Sequence, residues 1–99
     1  MTIKEVKGNG EITLELEGRV DTITAPELQQ AILVAFQKEK KLILDFTNIE
    51  YISSAGLRAL LIGEKTAKSK GGSMLITGAS EAVKEVFNVT GFLKILTFA

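Results

Sequence analysis

The stretch Tyr51-Ile52-Ser53-Ser54-Ala55-Gly56-Leu57-Arg58 sets two adjacent hydroxyls, two small residues and a cation between an apolar run, Leu42 to Phe46, and an amphipathic one, Leu57 to Lys70. A serine at such a strand-to-helix turn has two chemistries open to it. Its oxygen can cap the helix by accepting a bond from an amide of the first turn. Alternatively it can carry a phosphate, because the first amides of a helix lack intrahelical partners and lie at the positive end of the macrodipole. Ser54 is where the two readings meet. Gly56 is also read in two ways: as close packing of the turn on the sheet, or as open space through which a partner reaches the Ser54 oxygen. Arg58, a cation near a helix start, opposes the dipole. It reads either as a solvated side chain or as a contact for a phosphate or a partner.

The composition narrows what such a turn can serve. The chain has 99 residues, enough for one domain with one modest core, and 45% of them are hydrophobic. Lysine plus arginine equals aspartate plus glutamate at 12 each, so no global basic field gathers nucleic acid or anionic lipid. Neutrality points to protein partners, with no direct nucleic-acid contact. The sequence contains no cysteine and no histidine. Disulfides and thiolate metal sites are therefore excluded, and the commonest general base and metal ligand is missing. No Walker loop, acidic metal cluster or nucleophile–base pair stands out, so an enzyme or nucleotide hydrolase is disfavoured and no cofactor is expected. Residues 1–5 lack a signal-peptide core, and no apolar run approaches the roughly 20 residues that span a bilayer. The expectation is a soluble, cytoplasmic protein without membrane insertion.

The elements that must position the turn are legible from periodicity. Gly8-Asn9-Gly10 separates two short apolar-patterned runs, Ile3 and Val6 before it and Ile12, Leu14 and Leu16 after it, which predicts a hairpin. Glu11, Thr13, Glu15 and Glu17 alternate with the second run, so that strand should have one solvated face. Thr24-Ala25-Pro26-Glu27 reads as a capping box with Thr24 as N-cap, opening a helix to about Lys38 that buries Leu28, Ala31, Ile32, Ala35 and Phe36. Leu42 to Phe46, broken only by Asp45, has the pattern of a central strand covered on both faces. Asp45 at its end reads either as a support for the turn or as a cap for a nearby loop. The second helix buries Leu57, Leu60, Leu61 and Ala67 and ends at Gly71-Gly72. Strand Ser73 to Ile76 follows, then a short helix capped by Ser80 with Val83, Val86 and Phe87 inward and a stop at Thr90-Gly91. A last strand runs roughly from Lys94 to Phe98. Phe92 and Leu93 are expected as core anchors, the alternative being part of an exposed apolar patch, and Tyr51 as a core residue with its hydroxyl at the surface. The order is β-β-α-β-α-β-α-β: an α/β fold with a mostly parallel mixed sheet, opened by an antiparallel hairpin, with helices packed on it.

These residues resemble the STAS domain family, and within it the single-domain bacterial anti-sigma factor antagonists. The resemblance covers nearly the whole chain, residues 1–99. It rests on Gly18-Arg19-Val20-Asp21 after the hairpin, the helix opening Thr24-Ala25-Pro26-Glu27-Leu28, and the strand Leu42-Ile43-Leu44-Asp45. It rests further on the signature Ile52-Ser53-Ser54-Ala55-Gly56-Leu57, on Gly71-Gly72, and on Val86-Phe87-Asn88-Val89-Thr90-Gly91-Phe92.

The resemblance implies partner switching. In the family motif the first serine, which falls on Ser54, is phosphorylated by a partner anti-sigma factor serine kinase. Unphosphorylated antagonist binds that kinase and frees the sigma factor; the phosphorylated form lets go until a Ser/Thr phosphatase resets it. Asp21 matches the family's acidic residue near the turn, and it is a candidate for repelling the phosphate at an interface. The phosphate itself would face the amides of Ala55, Gly56 and Leu57. Ala55 occupies a variable position that holds a second hydroxyl in some members. Ser53 stands where the family commonly has aspartate, so it brings hydrogen bonding without charge and a second candidate acceptor. Ser53, Ala55, Gly56, Leu57, Arg58 and Asp21 are thus the expected partner-binding or switch-supporting set. STAS domains also occur in transporters, so the alternative is an accessory subunit of a lipid-trafficking ABC transporter that binds its ATPase. Members often add a further helix over the sheet, which this sequence does not include.

Overall fold

The Gly8-Asn9-Gly10 turn, with Gly10 at φ 76°, folds β1 (Thr2–Lys7) back on β2 (Glu11–Val20) as an antiparallel pair. The computed structural model describes residues 1–99. After the hairpin come α1 (Ala25–Lys38), β3 (Lys41–Ile52), α2 (Ser54–Ser69), β4 (Ser73–Thr77), α3 (Glu81–Thr90), a 3₁₀ turn (Phe92–Lys94) and β5 (Thr97–Phe98). The five strands form one sheet in the order β1-β2-β3-β4-β5, parallel from β2 onward, with β3 at its centre. The mixed sheet and the element order agree with the sequence reading.

Coverage of the sheet does not. Along β3, Leu42, Leu44 and Phe46 are buried while Ile43 and Asp45 are only half-buried. In register, Ile12, Leu42 and Met74 form one row, and Leu14, Leu44, Ile76 and Phe98 the next, all on one face. The helices meet that same face. The Phe87 ring of α3 lies 6.2 Å from Phe46 and 5.0 Å from Phe98 between centroids, and a Cβ on Gly63 of α2 would sit 2.7 Å from the Met74 sulfur. Lys38 of α1 pairs with Glu5 at 3.0 Å. The expectation of a strand covered on both faces is therefore corrected to one covered face. The other face carries the row Lys4, Glu15, Asp45 and Thr77, whose charged groups need water.

Three boundaries move for identifiable reasons. β3 continues to Ile52 because Ile49 and Ile52 bury in the core, with register shifts against β2 taking up the irregularity. α2 begins at Ser54 rather than Leu57. At the other end, the Phe92 carbonyl accepts bonds from Ile95 and Leu96, so the backbone coils into a 3₁₀ turn and leaves only Thr97 and Phe98 to pair with β4. Phe92 packs half-buried against the core as expected, whereas Leu93 is exposed. α3 keeps its predicted cap, with the Ser80 hydroxyl accepting from the Val83 amide at 3.3 Å.

One buried group is at odds with its surroundings. Glu64 lies on the inward stripe of α2 at 8% exposure, and its Oε1 has no hydrogen-bond partner. Its Oε2 has only Lys68, 3.9 Å away and mostly solvated. A buried acceptor left unpaired costs about 1–3 kcal/mol. Glu64→Leu is accordingly expected to stabilise the fold by about that amount. Thermal unfolding of the two proteins checks this; a lower midpoint for the variant would mean that the carboxylate earns its place.

Candidate functional site

The loops leaving the carboxyl ends of β2 and β3 are stitched together, the Ser53 amide donating to the Val20 carbonyl at 2.8 Å. In open α/β sheets such loops carry recognition, because the strands end together and the chain there is free to vary. The two candidate regions of the sequence, residues 18–24 and 51–58, thereby become one surface.

The hydroxyl that caps α2 belongs to Ser53. Its backbone is extended (φ −96°, ψ 176°), its Oγ accepts from the Gly56 amide at 3.4 Å, and its carbonyl accepts from the Leu57 amide at 2.9 Å. Capping by Ser54 is corrected: Ser54 is the first helical residue, and its side chain is exposed with no hydrogen bond. The physical cause is the backbone. Only an extended residue can swing its oxygen over the following turn, and Ser54 is already helical. Serine and aspartate cap comparably well, so Ser53 supplies what the family's aspartate would supply as a cap, without its charge.

The cap also redraws the anion cradle. Of the three amides expected to face a phosphate, Leu57's is spent in the first helical bond and Gly56's on Ser53. The amides of Ser54 and Ala55 are left without partners at the positive end of the dipole. α2 has no acidic residue in its first turn.

Asp21 is engaged by its own loop. Its Oδ1 accepts from the Ile23 and Thr24 amides, both at 3.0 Å, and the Thr24 hydroxyl oxygen lies 3.2 Å away, its one proton shared with the closer Arg19 carbonyl. The bond from the Thr24 amide, joined by the other loop donors and by the nearby Arg19 charge, holds the carboxyl below its ordinary range against a smaller desolvation effect. Asp21 is therefore ionised at neutral pH. Thr24 faces backwards: its hydroxyl accepts from the Asp21 amide at 2.9 Å and donates to the Arg19 carbonyl at 2.7 Å. The predicted capping box at α1 is thus replaced by an Asp21–Thr24 loop clasp, and Thr24 makes no side-chain cap. Asp45 behaves as a loop cap, accepting from the Thr47 amide and hydroxyl at 3.0 and 2.6 Å.

The remaining predicted residues divide by burial. Gly56 and Leu57 are buried and offer no surface, whereas Ala55 is half-buried and Arg58 exposed. A Cβ on Gly56 would lie 2.7 Å from both Ile52 Cγ1 and Val20 Cγ1, which places close packing behind the choice of glycine. Tyr51 is exposed rather than in the core, with the Arg19 guanidinium 4.4 Å above its ring. Sequence reasoning missed this pair, since Arg19 and Tyr51 become neighbours only through the register shift between β2 and β3. It also missed Ile23, 86% exposed at the tip of the Asp21 loop. Nowhere do three carboxylate, histidine or cysteine side chains gather to hold a metal.

The STAS domain family matches residues 2–99. The chain belongs to that family. Among its relatives, BtrV of Bordetella bronchiseptica, provisionally named an anti-sigma factor antagonist, is 33% identical over 94 residues, covering 94% of this chain and 81% of that protein. The anti-sigma-B factor antagonist of Bacillus subtilis is 27% identical over 93% of this chain and 85% of its own length. The fold of this STAS domain is also that of the Bacillus anti-sigma factor antagonist SpoIIAA. Its unphosphorylated structure superposes with a TM-score of 0.76 at 16% identity, covering 99% of this chain and 87% of the other. Its phosphorylated structure gives 0.75 at 18%, covering 99% and 91%. No helix of this STAS domain is long and apolar enough to cross a membrane.

Proposed function

We propose that this STAS domain is an anti-sigma factor antagonist, a regulatory binding protein that engages an anti-sigma factor serine kinase and is released from it by phosphorylation of Ser54. The observation that carries the reading is the division of labour between the two serines: Ser53 makes the cap, and the Ser54 hydroxyl is exposed and uncommitted. A kinase can take that oxygen without unmaking the helix. The relatives named as anti-sigma factor antagonists supply the class of partner.

The physics of release follows from charge. Phosphate brings about −1.5 to −2 charges at neutral pH. Within the chain it meets the free Ser54 and Ala55 amides and is tolerated, so folding survives. Between two proteins the same charge must be desolvated next to a loop that already holds ionised Asp21, so binding is lost. A Ser/Thr phosphatase restores the hydroxyl and the cycle. The cytoplasm, where anti-sigma factors act on transcription, is the corresponding location.

Phosphopeptide mass spectrometry on the protein from its native cells, during growth and under stress, tests the assignment. Cleavage after Lys41 and Arg58 places both serines on one peptide, and fragmentation separates them. Condition-dependent phosphate on Ser54 is expected. Phosphate on Ser53 would move the site, and an abundant peptide that is never modified would remove the switch.

A further inference from the structure

Ser54 and Arg58 are four residues apart on α2, both exposed, and so stand one above the other on the helix surface. The Arg58 guanidinium forms no ion pair: the three salt bridges of the molecule are Lys38–Glu5, Lys68–Glu64 and Lys84–Glu81. It makes no side-chain hydrogen bond and stacks on no ring, the one cation–aromatic contact being Arg19 on Tyr51. Arg58 lines a cleft of about 430 Å³ between α1 and α2 together with Thr22, Gln29, Gln30, Ala55 and Ile62, and no carboxylate lines that cleft. Arg58 is the fifth residue of α2, one turn in from its start, and no charged group of the resting molecule pairs with it.

We propose that Arg58 is the intramolecular partner of the Ser54 phosphate: phosphorylation pairs the new dianion with the guanidinium one helical turn away and withdraws that cation from the surface offered to a binding partner. The proposal rests on the reading of Ser54 as the phosphoacceptor and adds the group that answers it. The order is the favourable one, anion N-terminal to cation at a spacing of four. Arginine's planar fork can hold two phosphate oxygens at once, and charge-assisted bonds of this kind are the stronger ones. On α2 the next cation is Lys65, eleven positions from Ser54 and three turns along, and on the neighbouring loop the Arg19 guanidinium is stacked on the Tyr51 ring. The pairing gives the switch a second effect. Phosphate adds negative charge at the turn and also neutralises the positive charge at the rim of the α1–α2 cleft. A partner that reads Arg58 through an acidic group loses that contact in the same event.

Phosphorus NMR titration of the full chain with phosphoserine installed at position 54 during synthesis tests the pairing directly. A cation paired with the phosphate favours the dianion, so the second phosphate pKa, ordinarily about 6, is expected to be lower in the native sequence than in Arg58→Gln. The expected difference is about 0.3–0.6 units. Arg58→Lys should keep part of the shift and Lys65→Gln all of it. Arg58 is exposed, so these variants should fold, and circular dichroism verifies that they do. Coincident titrations of the native and Arg58→Gln proteins would overturn the proposal. An equal loss in Lys65→Gln would overturn it too, by showing a diffuse field in place of a pair. Because no kinase is involved, a failure here leaves the assignment of Ser54 untouched, and an unmodified Ser54 in cells leaves this result standing.

Discussion

Ser54→Asp is expected to bind the cognate anti-sigma factor kinase at least about 30-fold more weakly than the unmodified protein, while Ser54→Ala binds with near-native affinity. A charge left buried and unpaired in an interface costs about 2–5 kcal/mol, and every 1.4 kcal/mol is a factor of ten. Aspartate carries one negative charge where phosphate carries up to two, so the mimic should reproduce the sign of the effect and fall short of its size. The alanine control is clean, because the Ser54 hydroxyl makes no hydrogen bond whose loss would disturb the turn. The Ser53 cap and the Leu57–Ser53 backbone bond stay in place in both variants. Titration calorimetry with the purified kinase reads the result. Equal affinities for the two variants would mean that charge at this position does not control association.

Gly56→Ala is expected to destabilise the domain by about 1–3 kcal/mol, the usual cost of forcing a methyl group into a packed core. The added carbon would sit 2.7 Å from Val20 Cγ1 and Ile52 Cγ1 and 3.2 Å from Val20 Cβ. Both neighbours are buried, and both are β-branched, with little freedom to rotate away. They end the two strands whose loops form the site, so relief of the clash must lift the start of α2 away from the sheet. Alanine's better helix propensity offsets up to about 1 kcal/mol of this. Gly63→Ala on the same helix is the natural comparison. There the near atoms are the Met74 sulfur at 2.7 Å and Ile32 Cγ2 at 3.0 Å, and a flexible methionine can give way. Thermal unfolding should separate the two, with a midpoint drop of several degrees for Gly56→Ala and a smaller change for Gly63→Ala. A Gly56→Ala protein as stable as the native one would show that the turn is not held by this contact.

The two predictions meet at one place because the turn that exposes Ser54 is the turn that Gly56 seats on Val20 and Ile52. The serine is presented by a rigid element, and its hydroxyl is left free by its neighbour. Asp21 and Thr24 hold the adjacent loop by bonds to its own backbone, which keeps an ionised carboxylate and the exposed Ile23 beside the turn that bears Ser54. Rigid presentation matters for a binding module, since a preordered surface loses less conformational freedom on association.

Much of this was legible in residue order alone, wherever a local rule acts on consecutive residues. The glycines at 8 and 10 turn the hairpin, the three-and-four spacing of Leu28, Ile32, Ala35 and Phe36 sets the buried stripe of α1, and Ser80 and Gly91 bound α3. The family signature at Ile52 to Leu57 singled out the candidate site. What local rules could not decide were choices between near-equal alternatives. Ser53 and Ser54 differ only in backbone conformation, which the end of β3 and its bond to Val20 impose. Thr24 could serve the helix ahead or the loop behind, and the nearby Arg19 carbonyl settled it. An apolar run with one aspartate is compatible with one or two covered faces, and only the cross-strand row of Lys4, Glu15 and Asp45 leaves one face to water. Sequence by itself therefore determined the elements, their order and the serine pair, because caps, turns and periodicity act over a few residues. Tertiary structure alone decided which serine is free, which face is covered and that Arg58 has no partner, because each depends on groups that are distant in the chain and adjacent in space.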